Sequence, residues 1–145
     1  MSVILAVVCP RLLGPAMMVA AAIIVKGYGD VGDGFSAGVV VALAVALRYV
    51  TLGAERAERT LPVLRYAPAV AVSGLLFALA IGFFPILLGE PLLTHYPRSG
   101  EPVVHVGTLE LTTAVAFDVG VFLLVAGSLV ELIHQLTRLV EEPRP

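Results

Sequence analysis

The stretch Val106–Ile133, VGTLELTTAVAFDVGVFLLVAGSLVELI, decides how this chain is read. It is long and apolar enough to cross a lipid bilayer, yet it holds Asp118 near its middle, between Glu110 and Glu131. An aspartate at the centre of a membrane helix costs ~2.5–3.5 kcal/mol on insertion scales. Such a group normally faces a partner or a water-filled cavity, and ion or proton handling is its default role.

The rest of the 145 residues agrees with a membrane setting. Hydrophobic residues make up 59% and charged residues 14%, and mean hydropathy is +0.99. Soluble domains average about 45–50% apolar and ~25% charged, so a soluble fold is excluded. A hydrocarbon core ~30 Å thick needs about 20 helical residues. Four runs meet that length, over approximately residues 3–26, 35–52, 67–88 and 107–136. The expected fold is therefore all-α, a single membrane domain over 1–145 with no soluble catalytic domain. Pro10, Arg11 and Pro15 interrupt the first run early, where a membrane helix tolerates a bend. Met1-Ser2-Val3 lacks the positive region of a secretory signal, so this run reads as a retained helix.

Charge sets an expected orientation. The linker Gly53–Arg65, GAERAERTLPVLR, carries Arg56, Arg59 and Arg65 and follows Arg48, whereas the other connections offer Lys26 and Arg98. Lys and Arg accumulate in cytoplasmic loops. The linker and both termini are thus expected in the cytoplasm, and Arg138 and Arg144 in the tail agree. A net charge of -2 without a basic run gives no footprint for nucleic acid. The lone Cys9 builds neither an internal disulfide nor a metal cluster, and no cofactor is expected.

Within the last run, helical geometry would set Asp118 roughly 15 Å beyond Thr108, close to the bilayer midplane. Ala116, Gly120 and Gly127 supply small residues for close helix packing. Asp118 then binds a cation or proton, or pairs with a basic group in a partner; the plainer alternative is a carboxylate hydrogen-bonded for packing alone. Glu110 falls in the expected first turn, where it complements the helix dipole by about 0.3–1 kcal/mol. It lies about 80° from Asp118 around the helix, so both could line one wet face, with Thr112 and Thr113 between them. Glu131 and His134 are helical neighbours, but a di-iron bundle needs two such Glu-x-x-His copies; a solvated cytoplasmic helix end is the better reading. His95 and His105 sit in the long third loop without ligand spacing and read as contact residues. The segment Gly27–Gly32 matches G-x-G-x-x-G but follows a membrane helix rather than a strand, which fails the dinucleotide context. Gly34 and Gly38 form a G-x-x-x-G packing face.

Two of these motifs carry a family resemblance. Gly32-Asp33-Gly34-Phe35-Ser36-Ala37-Gly38, opening a helix after a glycine-rich loop, resembles the B subunit of Mrp-type multisubunit sodium/proton antiporters (the MnhB/MrpB family). Gly107–Ala114 followed by Phe117-Asp118-Val119-Gly120-Val121 is similar to that family's last helix, and Gly89–His95 to the segment before it. The first loop departs: the family's G-H-N-x-P-G-G-G-F becomes Gly27–Phe35 without the histidine, asparagine or proline, and Asp33 stands at a glycine position. The resemblance implies a multi-pass subunit in a prokaryotic plasma membrane that is not itself an enzyme. Its implied partners are the other subunits of a multisubunit antiporter, including large ones similar to the antiporter subunits of respiratory complex I. By motif position Asp118, then Glu110, inherit a role in the ion path, while Phe35 packs the loop against a neighbour. A redox-driven complex with an Mrp-like module, such as a membrane-bound hydrogenase, is the alternative setting.

Overall fold

The computed structural model describes residues 3–26, 33–98, 100–106 and 109–141. Most of the glycine-rich first loop (27–32), Thr108 and Arg144 therefore lie outside the described residues. The described residues fold mainly into helices, and among them four are long and apolar enough to span a membrane: Val3–Lys26, Asp33–Leu52, Pro62–Leu87 and Thr113–Val140.

The first span is broken, as its prolines require. Helix α1 (Val3–Val8) passes through a 3-10 turn, Cys9–Arg11, into α2 (Leu13–Lys26). A proline inside a helix removes a backbone donor and clashes with the preceding turn. In lipid the freed backbone groups need new partners. The Pro10 carbonyl receives one from Arg48, whose Nη1 donates at 3.1 Å, and the Val7 carbonyl receives another from Arg11 Nη1 at 2.9 Å. Arg48 is only 8% exposed, so it mends this break from the neighbouring helix in addition to marking the basic end of the bundle.

Helix α3 (Asp33–Leu52) leads through Gly53 into a short charged helix α4 (Ala54–Thr60), a 3-10 turn Pro62–Tyr66, and α5 (Ala67–Leu87). The last span departs from expectation at its start. Strands β1 (Val104–Val106) and β2 (Leu109–Leu111) form an antiparallel hairpin in the register Val104↔Leu111, His105↔Glu110, Val106↔Leu109. Only then does α6 (Thr113–Glu141) begin. The cause is legible afterwards: VHV and LEL alternate with period two, the signature of a strand. Thr112 then caps the helix, its Oγ1 accepting the Val115 N–H at 3.3 Å, the usual N-cap reach to the third helical residue.

Helix α6 is the axis of the bundle. Helix α5 runs antiparallel to it along a buried stripe of Ala67, Ala71, Gly74, Ala78 and Gly82. A Cβ at Gly74 would lie 2.6 Å from the Leu124 nitrogen, and one at Gly127 would lie 2.6 Å from the Ala71 nitrogen. Small residues are what let membrane helices come this close, because lipid gives apolar side chains no reason to prefer one another. Helix α3 runs parallel to α6, with Gly34 beside Asp118, Gly38 beside Phe122, and Tyr49 beside His134. The α2–α3 contact, antiparallel, centres on Ala20, Ala37 and Val41. As a result the first span's start, α4 and the end of α6 share one end of the bundle. The starts of α3 and α6 share the other with the long loop and the hairpin.

The packing yields a matched pair of substitutions. Gly127→Ala should lower the detergent unfolding midpoint by the equivalent of ~1–3 kcal/mol, the usual cost of overpacking. Gly14→Ala, with nothing within 4 Å of the added carbon, should be neutral or stabilising by about 0.5–1 kcal/mol. Equal effects at the two positions would contradict the α5–α6 contact.

Candidate functional site: the junction of α3 and α6

The first backbone N–H groups of any helix lack partners within it. For α3 this need falls at the edge of the membrane-spanning segment. The Asp118 carboxylate answers it by accepting a hydrogen bond from the Gly34 N–H. A negative group at a helix start is also favoured by the helix dipole. Gly34 must be glycine for this approach, since a Cβ there would run into the Asp118 carbonyl. One turn on, a Cβ at Gly38 would sit 2.9 Å from the Val125 Cβ and 3.1 Å from the Phe122 carbonyl oxygen. Gly120 serves the opposite face, where a Cβ would lie 2.9 Å from the Cβ of Ala78 on α5. Phe35 turns outward and is 57% exposed, so within this chain it packs on nothing extensive.

Asp118 has company that the sequence reading did not assign to it. Asp33, at the start of α3, and His95, in the long loop, both act electrostatically on its carboxylate. Asp33 Oδ2 is buried and has no hydrogen-bond partner among the described residues. His95 is held nearby by the loop: the Tyr96 N–H donates to Thr113 Oγ1 at 2.8 Å, and the Thr113 N–H donates to the Tyr96 carbonyl at 2.9 Å. Lower down, the Leu93 N–H donates to the Gly82 carbonyl at 3.1 Å, which draws the loop back along α5. Among the described residues no group of three or more His, Cys, Asp or Glu is arranged to hold a metal ion. Two carboxylates and an exposed imidazole thus gather at the mouth of the α3–α6 junction.

Two expectations are corrected here. Because α6 starts at Thr113, Asp118 lies five residues along it, ~7.5 Å from its beginning, rather than ~15 Å along a helix that already runs at Thr108. Glu110 belongs to β2, opposite His105, and so is not in the helix's first turn. The helical face expected to join Glu110 and Asp118 does not exist. Glu131 and His134 also part company: Glu131 accepts from Gln135 Nε2 at 2.5 Å, while His134 Nδ1 stands 2.7 Å from Glu58 Oε1.

Comparison with known proteins fits this geometry. Residues 4–131 match the family described as "Domain related to MnhB subunit of Na+/H+ antiporter". The chain belongs to the MnhB family. Among curated relatives it is 35% identical over 101 residues to the Na(+)/H(+) antiporter B subunit of Alkalihalophilus pseudofirmus, covering 70% of this chain and 68% of the relative. To the protein of the same name in Bacillus subtilis it is 31% identical over 112 residues, 77% of this chain and 76% of that one. It is 37% identical over 127 residues to a probable K(+)/H(+) antiporter A/B subunit of Rhizobium meliloti, 83% of this chain but only 12% of that far longer protein. The two MnhB-like segments, Gly32–Gly38 and Phe117–Val121, lie far apart in sequence and meet in space through Gly34 and Asp118.

Gly34→Ala is the direct test of that contact. It should lower the unfolding midpoint by the equivalent of about 1–3 kcal/mol through overpacking. Phe35→Ala, at an exposed position, should leave the isolated chain's stability nearly unchanged. A neutral Gly34→Ala would mean that α3 does not start against Asp118.

Proposed function

We propose that this chain is a small membrane subunit of a multisubunit cation/proton antiporter in a prokaryotic plasma membrane, serving both assembly and the ion path. The names of its relatives support the antiporter reading. The relative whose name joins A and B carries an MnhB-like region within one long polypeptide, which supports a position beside a large antiporter protein of the complex I type. The arginine-rich α4 end holds the start of α1 and the end of α6, and the positive-inside rule assigns that end to the cytoplasm. The α3–α6 junction and the hairpin carrying Glu110 then face outward.

The observation that carries an ion role is the pairing of Asp33 with Asp118. Two carboxylates in each other's field repel, and one of their oxygens is buried without a donor among the described residues. A monovalent cation or a shared proton relieves that repulsion. Exchange of the one for the other is the elementary step an antiporter needs. Asp118 is the principal ion-path residue in this reading, and Glu110 the next carboxylate back along the chain. A second reading also has an observation behind it: the hydrogen bond from Gly34 gives Asp118 a purely structural task as the cap of α3.

Asp118→Asn separates the two, because an amide oxygen still accepts from Gly34 but cannot exchange ions. In inverted vesicles carrying the whole complex, the ion reading expects antiport to fall at least about tenfold, ~1.4 kcal/mol of barrier, with co-purification of the complex unchanged. Unaltered transport, or loss of the complex itself, would leave Asp118 as a cap. Co-purification of iron–sulfur or hydrogenase proteins would instead move the chain to a redox-driven complex.

A further inference from the structure

At the arginine-rich end of the bundle a second titratable cluster joins three helices. His134 on α6 is only 14% exposed at its side chain, and its Nδ1 lies 2.7 Å from Oε1 of Glu58 on α4. The same Nδ1 lies 3.3 Å from the hydroxyl of Tyr49 on α3, a residue 1% exposed whose ring meets the imidazole edge-on at 6.3 Å between centroids. Arg138 Nη2, one turn further along α6, reaches the other Glu58 oxygen at 3.4 Å. Glu131, on α6, also acts on Tyr49, as do Glu58 and Arg138. Among the described residues, Tyr49, Glu58, Glu131 and Arg138 are thus the charged and titratable groups that meet in this cluster with His134.

Two neighbours compete for one nitrogen. A proton on Nδ1 places a positive charge 2.7 Å from Glu58 Oε1, a buried oxygen that no hydrogen-bond donor meets among the described residues. When Nδ1 carries no proton, it can accept from the Tyr49 hydroxyl. Protonation of the ring decides between them: an imidazolium must donate from both nitrogens, and its charge strengthens the bond to the carboxylate. Glu58 sits in a seven-residue helix that a single glycine, Gly53 at φ 77°, separates from α3. The apolar side of α4, through Ala54 and Ala57, closes the core cluster around Tyr49, Leu64 and Val130. The pairing therefore governs a small segment with a hinge at one end and apolar surface to cover.

We propose that Glu58 and His134 form a protonation-controlled latch that holds α4 against the end of α6 and releases it as pH rises. Histidine is the type of side chain that proteins use to switch charge across physiological pH. It is separate from the Asp118 junction. His134 stands sixteen residues beyond Asp118 along α6, ~24 Å away, and Ser128 and Glu131 are the only polar side chains among the fifteen residues between them. The latch thus reports cytoplasmic proton activity to the bundle rather than continuing an ion path through this chain. Its cytoplasmic assignment and its link to transport rest on the antiporter reading above; its existence does not.

The test uses the complete complex in membranes. Ala57→Cys, buried on α4, is introduced with Cys9→Ala and labelled with a membrane-impermeant maleimide in inverted vesicles, against a free thiol to correct for thiolate chemistry. The corrected rate should rise about fivefold between roughly pH 6 and pH 8, the ratio expected when a charge-assisted bond becomes an ordinary one. His134→Gln and Glu58→Gln should each make the corrected rate high and independent of pH. Leu61→Cys is the second reporter and must show the same pattern if Ala57→Cys disturbs assembly. A flat corrected rate at both reporters without the other substitutions overturns the latch, as does a pH response that survives His134→Gln. The failure of the antiporter reading shows differently, as absence of cation/proton exchange in the unsubstituted complex, and leaves the labelling result standing.

Discussion

The hydrogen bond from the Gly34 N–H to the Asp118 carboxylate is the constraint on which the junction of α3 and α6 depends. A helix that begins within or at the edge of lipid has donors that water cannot satisfy, and here the acceptor comes from a different helix. The bond can form only because Gly34 has no side chain to keep α3 away from the α6 backbone. It lies at one end of the parallel packing of α3 on α6, and the same packing brings Tyr49 to His134 at the other end.

Much of the fold was legible from sequence because lipid imposes simple rules. Span number followed from hydropathy, and Ala116, Gly120 and Gly127 marked a closely packed face of the last span without saying which helix meets it. The break in the first span was visible in Pro10 and Pro15. What repaired it was not, since Arg48 reads in sequence as a positive-inside marker and its bond to the Pro10 carbonyl is a tertiary fact. The hairpin was missed for a different reason. Hydropathy averages over windows wide enough to blur the six strand residues into the following helix, while the period-two alternation of Val104–Val106 and Leu109–Leu111 was there to be read.

The site was legible in part. Asp118 stood out because a carboxylate in an apolar helix is costly whatever its partner. Its depth depended on where the helix starts, so an early start put it at the midplane and coupled it wrongly to Glu110. Asp33 had a signal, an acidic residue where the family pattern has glycine, but sequence could not say that it faces Asp118 across two helices. Glu58 had none: among the alternating charges of Ala54–Thr60 it looks like any solvent-facing glutamate. The fold alone brings it to His134.

In the proposed function Asp118 exchanges ions as well as capping α3. Infrared difference spectroscopy of the purified complex, comparing sodium-loaded with sodium-free states, tests this most directly. The expected result is a set of carboxylate bands in the difference spectrum that disappear in Asp118→Asn while the amide bands, and so the helices, stay unchanged. A difference spectrum identical in the two proteins would show that Asp118 does not sense the cation and would reduce it to a structural cap.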